Sequence, residues 1–129
     1  MAITVTMEND GILRIKISGE MDKVQVDYLQ DEIAPFLDAA TDENPLNSII
    51  LPENIGKLSY YARRFFAEVI QNTKVGMLAI MDPPRAVRIL GRFIFTATKS
   101  EKIRFFSNET EAVEWIKSKS LSVKHHMEI

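Results

Sequence analysis

The residues able to do chemistry are few, and they gather in two short stretches. Ser59 stands directly before a run of helical periodicity, where its hydroxyl can accept a hydrogen bond from an unpaired first-turn amide. Gly56 and Lys57 precede it and Tyr60, Arg63 and Arg64 follow it. The last three fall off the apolar face of that helix, near its start. They could line an anion- or peptide-binding surface, since Tyr and Arg combine large contact area with directional donors, or simply form a solvated face. The second stretch opens at Asp82, which ends an apolar run and precedes Pro83-Pro84. Open α/β sheets bind ligands at the carboxyl ends of their strands. Asp82 is therefore a candidate site residue, and equally a helix N-cap with Pro83 in the first helical position. Arg85, Arg88 and Arg92 then recur at helical spacing, with Phe95 turned to their side. An outward Phe among arginines suits contact with a subunit, a partner or a membrane surface, although single exposed aromatics are common.

Other chemistries lack their residues. The chain has no Cys, so it can build no disulfide, thiolate zinc site or cysteine nucleophile. His125 and His126 are the two histidines; neighbours on a regular element do not point at one ion, and no third His joins them. Their place near the end of the chain also takes them away from any Ser-His couple. There is no phosphate loop, dinucleotide fingerprint or Gly-x-Ser-x-Gly elbow. The 18 acidic residues leave a carboxylate-only reaction open, but their spacing singles none out. The expectation is a non-enzymatic protein with no cofactor, no metal and no catalytic residues.

At 129 residues, 46% apolar and 26% charged, the chain is sized for one domain with an ordinary core. Residues 1–20 alternate apolar and polar and include carboxylates, unlike a signal peptide. No apolar run approaches the roughly 18–20 residues that cross a bilayer. A cytoplasmic protein is expected. Nucleic acid is not an expected partner at a pI near 5.7. The net charge of −2 hides a division: residues 1–54 hold 11 acidic and 3 basic side chains, residues 55–129 hold 7 and 13. Such polarity can steer association with a partner or a second copy, or its halves can pair on one surface.

The elements that must carry these residues follow from periodicity. Ile3 to Met7 and Ile12 to Ser18 alternate around Asn9-Asp10-Gly11, predicting a β-hairpin. A helix from Met21 or Asp22 to Ala40 buries Val26, Leu29, Ile33, Phe36, Leu37 and Ala40 and turns Asp27, Asp31 and Asp38 outward. Pro35 lies inside it and should kink it. Ser48 to Leu51 and Val75 to Met81 are wholly apolar strands, suited to the middle of a sheet. Between them the helix from Tyr60 to Asn72 buries Tyr61, Ala62, Phe65, Phe66 and Val69. A third helix, capped by Asp82, has Ala86, Val87, Ile89, Leu90, Phe93, Ile94 and Ala97 as its apolar stripe. Lys102 to Phe106 alternates as a strand, and Asn108 with Glu111 opens the last helix as in a capping box. Residues 1–120 form the domain and 121–129 a tail without a firm pattern. The order β-β-α-β-α-β-α-β-α requires a mostly parallel sheet with an antiparallel edge hairpin. Were every helix on one side, the other sheet face would need water-tolerant residues or another subunit, which is a hint of a homo-oligomer.

This order resembles the STAS domain (sulfate transporter and anti-sigma factor antagonist), in particular its bacterial SpoIIAA-like branch, related in fold to lipid-carrying CRAL-TRIO domains. The resemblance is carried by Arg104-Phe105-Phe106-Ser107-Asn108-Glu109 leading to Glu111-Ala112-Val113-Glu114-Trp115-Ile116, and by Ile17-Ser18-Gly19-Glu20-Met21-Asp22. It implies a regulatory domain that docks a protein partner, with a serine before the second helix that takes a phosphate. Ser59 stands at that turn, although the regulators show Asp-Ser where this chain has Leu58-Ser59. The CRAL-TRIO kinship implies the alternative, a small carrier of a lipid or other apolar ligand, lined by Met77, Met81, Phe65, Phe66, Phe93 and Phe95.

Overall fold

In the computed structural model, which describes residues 2–55, 58–85, 87–89, 91–92 and 101–127, the alternating N-terminal segments pair as expected. Strand β1 (Ala2–Met7) runs antiparallel to β2 (Leu13–Ser18), with Ile3 opposite Ile17 and Val5 opposite Ile15. The turn between them closes through Gly11, whose N–H donates to the Glu8 carbonyl at 3.0 Å with φ +78°. Helix α1 (Lys23–Ala39) continues through Pro35 and is capped by Asp22, whose carboxylate accepts from the Val24 and Gln25 amides. Strand β3 (Leu46–Glu53), helix α2 (Tyr60–Gln71) and strand β4 (Val75–Met81) follow. Helix α3 is described at 85, 87–89 and 91–92; then come β5 (Ile103–Phe106) and α4 (Glu109–Met127).

The five strands lie in sequence order, β1-β2-β3-β4-β5, and all pairs after the hairpin are parallel. The apolar β3 and β4 are interior strands. At Asn47 the β3–β4 register shifts, and the Asn47 Oδ1 accepts from the Met77 N–H at 2.8 Å in place of a ladder carbonyl. A Cβ on Gly76 would collide with that oxygen, so the irregularity requires glycine there. The C-terminus of α2 is closed by Lys102, whose ammonium donates to the Ile70 and Asn72 carbonyls, each at 3.2 Å. Burial lowers the pKa of that ammonium.

A strand order that steps in one direction, with crossovers of one hand, puts α1, α2 and α3 on the same face. Their apolar stripes meet Leu13, Ile15 and Ile17 of β2, Ile50 of β3, and Leu78 and Ile80 of β4. Fully burying a side chain such as Leu13, Ile17 or Leu29 stabilises by about 1.5–3 kcal/mol. The opposite face carries Ile49, Leu51, Met77, Ala79, Met81 and Phe106, and α4 covers it with Ala112, Val113, Trp115 and Ile116. The premise that all helices share one side is therefore corrected: α4 closes the second face, and no second subunit is needed for that. The segment from Arg104 to Ile116 also acquires a physical role. Arg104 lies over the Phe106 ring at 5.4 Å, and that ring packs on Trp115 at 5.5 Å.

Three further expectations change. Ile89 is 57% exposed, because Val87 and Gly91, one turn apart, turn to the sheet and leave Ile89 on the opposite side. Tyr61 is 48% exposed, since Ala62, Phe65 and Ile70 set the phase of α2 and leave it on the flank. Met77 and Met81 sit under α4 whereas Phe65 and Phe66 face α1 to α3, so these four cannot line one pocket. The backbone of 121–127 is helical, although those residues show no periodic pattern. Gly56, Lys57, Ala86, Leu90, Phe93, Ile94, Phe95 and Ala97 lie outside the described residues.

Candidate functional site at the carboxyl rim

Because β2 to β5 are parallel, the four turns that lead into helices gather along one rim of the sheet, at its carboxyl ends. Each turn is stiffened by its own chemistry. After β2, Gly19 adopts φ +85° and its N–H donates to the Glu53 carbonyl at 3.3 Å, joining the ends of β2 and β3. The next residues bring Met21, buried, into a parallel bridge with Leu58.

Ser59 completes this junction. It caps α2 by accepting from the Ala62 N–H at 3.2 Å, and its hydroxyl donates to the Met21 carbonyl. A single half-buried hydroxyl thus fixes both the first turn of α2 and the entry to α1. The predicted cap is present, and its second bond is one that local sequence does not foretell. Beside it Tyr60, 60% exposed, and Tyr61 stack edge to face at 5.9 Å. Arg63 is exposed. Arg64 turns to Glu68 at 3.0 Å, and Glu68, with Tyr60 adding to it, holds the guanidinium pKa above its ordinary value. That pair is fully solvated and contributes little to stability.

Asp82 lies at the same rim but is not the helix cap. The Val87 and Arg88 amides both donate to the Pro84 carbonyl at 3.0 Å, so α3 begins after Pro84. The cause is the second proline, which drives the residue before it out of the helical region and prevents a start at Pro83. Asp82 instead takes φ +39° and donates its N–H to the Phe106 carbonyl at 2.7 Å, while its side chain stays exposed. Arg88 folds back so that Nε donates to the Pro83 carbonyl at 3.0 Å. Arg92 is exposed one turn on.

Asn54, just after β3, is a rim residue that sequence reading missed. It has φ +52°, and with Asp82 it is one of two non-glycine residues with positive φ among those described. Asn and Asp tolerate this region best, which is the signal that its type offered. Both strained positions therefore border the turn into α2 or α3, and strain of this kind gathers where a backbone is held for a purpose. Beneath the rim, Met21, Ile55, Leu58, Val87 and Gly91 surround an apolar void of about 30 Å³, room for about one water. Among the described residues the rim is a surface with a solid base, and not the mouth of a deep cleft.

Among the described residues no cluster of three His, Cys, Asp or Glu could hold a metal ion. No described helix is long and apolar enough to cross a membrane.

No protein-family model and no curated protein matches the chain. Solved structures do. An uncharacterised protein with a SpoIIAA-like fold from Shewanella loihica shares 15% identity, with 89% of this chain and 92% of that one covered at a TM-score of 0.63. The anti-sigma factor antagonist SpoIIAA in its unphosphorylated form shares 15% identity over 91% of this chain and 97% of its own, at 0.64. An anti-sigma factor antagonist from Mycobacterium paratuberculosis shares 19% identity over 90% and 95%, at 0.59. Five strands in sequence order, an antiparallel first pair, three helices on one face and a fourth on the other thus give the chain the SpoIIAA-like fold of these structures.

Proposed function

We propose that the chain is a non-enzymatic, cytoplasmic regulatory domain that docks a protein partner at the carboxyl rim, with Ser59 as its switch. The observation that carries this reading is the double engagement of the Ser59 hydroxyl, with Met21 on one side and Ala62 on the other. A phosphate on that oxygen removes the donated bond to Met21 and adds close to two negative charges at the amino end of α2. The helix end favours the anion, with Arg63 one turn on, while the junction to α1 loses its clamp. One modification thereby alters the charge and the shape of the rim together. Tyr60, Tyr61, Arg63 and Arg64 supply exposed aromatic and guanidinium groups beside it, the composition that partner surfaces favour. Asp82, Arg88 and Arg92 extend the surface along the rim and α3, with Gly56, Lys57 and Phe95 as the sequence neighbours of its two ends. The solved relatives named as anti-sigma factor antagonists, one described in its unphosphorylated form, support a regulatory role of this kind.

Native mass spectrometry of the protein taken from its own cell extract tests the reading. The expected result is a retained protein partner, lost when phosphate is present on Ser59 and kept by Ser59→Ala. A Ser59→Ala protein whose partner binding responds to phosphorylating conditions as the wild type does would remove Ser59 as the switch. A stoichiometric lipid in place of a protein partner would replace the regulatory reading by the carrier. The same spectrum reports the mass of any homo-oligomer.

A further inference from the structure

Protein interiors pack densely, and voids larger than a water molecule are few. Between α1 and α2, over the middle of the sheet, this chain has a cavity of about 240 Å³ that is open to solvent on one side. Its floor is formed by Ile50, Leu78 and Ser48, and its walls include Ile33 of α1 and Val69 of α2. Ser48 is anomalous there. It shares its face of β3 with Leu46 and Ile50, is 6% exposed, and is the buried polar residue of an otherwise apolar core. Its hydroxyl opens on the cavity, and since no described side-chain oxygen sealed from solvent lacks a hydrogen-bond partner, water or a ligand in the cavity can reach it. A hydroxyl that faces a mainly apolar cavity bonds either to water there or to a ligand group that takes the water's place.

We infer that this cavity is a binding site for a small, neutral, mainly apolar molecule that hydrogen-bonds to Ser48. Size and charge set the chemical class. A cavity of about 150 Å³ holds benzene, so in proportion this one holds about ten non-hydrogen atoms. Gln30 and Glu68, the latter paired with Arg64, stand at its solvent side, and no described Lys or Arg lines the apolar interior, so nothing there compensates the charge of an anion such as a fatty acid. A phenol-sized ring or short chain with one hydroxyl or carbonyl fits. The site is distinct from the Ser59 rim, and its occupancy does not depend on the proposed regulatory role.

Two fluorinated probes of equal shape test it: 4-fluorophenol, and fluorobenzene, which lacks the hydroxyl. Fluorine NMR titrations of the full chain are expected to show saturable binding of both, and proton–carbon spectra to show 4-fluorophenol shifting the methyl signals of Ile33, Ile50 and Val69. Ser48→Ala is expected to weaken 4-fluorophenol by about fivefold, the size of one net hydrogen bond, and to leave fluorobenzene unchanged. Without a probe the same variant is expected to keep the wild-type circular dichroism spectrum, so that weaker binding is not loss of fold. Ile33→Phe, with an unchanged circular dichroism spectrum, is expected to abolish binding of both probes by filling the space. Absence of saturable binding in the wild type overturns the site. A Ser48→Ala protein that binds 4-fluorophenol as the wild type does overturns the role of the hydroxyl.

Discussion

Ser59 and Gly91 mark the two ends of what single residues disclose. The cap formed by Ser59 is local: the hydroxyl needs only the helix that follows it, and so the position was legible from the sequence. Its bond to Met21 spans 38 residues and depends on two turns meeting at the rim, which no local pattern encodes. Gly91 was silent in the sequence for the same reason. In the fold its Cα lies against the Phe105 ring, and a Cβ there would penetrate that ring. Gly91→Ala should therefore destabilise the protein although alanine is the better helix former. Overpacking costs about 1–3 kcal/mol and the gain in helix propensity returns up to about 1 kcal/mol. The expected net loss of about 1–2 kcal/mol is read from the urea midpoint, and a companion Phe105→Leu change should restore much of it. A Gly91→Ala protein as stable as the wild type would mean that α3 approaches β5 less closely than described.

At the scale of elements, strands and helices follow the periodicity closely, and the departures sit where a second constraint overrides it. The start of α3 moved past Pro84 because paired prolines restrict one another, and Tyr61 moved to a flank because its neighbours set the helix phase. A link between elements also escaped the sequence: Arg14 ties the β-hairpin turn to the first turn of α4. Its guanidinium donates to both Asp10 carboxylate oxygens, at 2.8 and 2.9 Å, to the Ile12 carbonyl and to Glu109 at 3.2 Å. The hydrogen bond from Arg14 holds the Asp10 pKa below its ordinary value. A carboxylate depressed in the folded state adds stability above its unfolded pKa, near 3.9, and that stability is lost as pH falls through the folded value. Asp10→Asn should accordingly be less stable than the wild type at pH 6, with the gap closing as pH drops below about 4. Urea denaturation at a series of pH values checks this. A gap that stays constant down to pH 2 would show that the Asp10 charge contributes nothing beyond its shape.

For the whole molecule, the interior place of the two apolar strands was legible in their composition, but the placement of α4 was not. The handedness rule governs a helix that returns to a parallel strand, and no strand follows α4 among the described residues. Packing decides its side: Ile49, Ala79, Met81 and Phe106 offer an apolar strip, and Ala112, Trp115 and Ile116 cover it. If this is one core on two faces, α4 must unfold with the sheet. Ile116, 1% exposed, is the residue whose truncation tests that. Ile116→Ala should cost about 2–4 kcal/mol, within the range for deleting a buried aliphatic side chain. Trp115 fluorescence and backbone circular dichroism should still fall along one denaturation curve, displaced to lower denaturant. A fluorescence transition that precedes the dichroism transition would make α4 a separable lid, and the strip beneath it would then be an apolar surface open to a second copy of the chain. Sedimentation of the variant at several concentrations distinguishes these outcomes, because a cooperative α4 leaves its mass unchanged whereas an uncovered strip raises it with concentration.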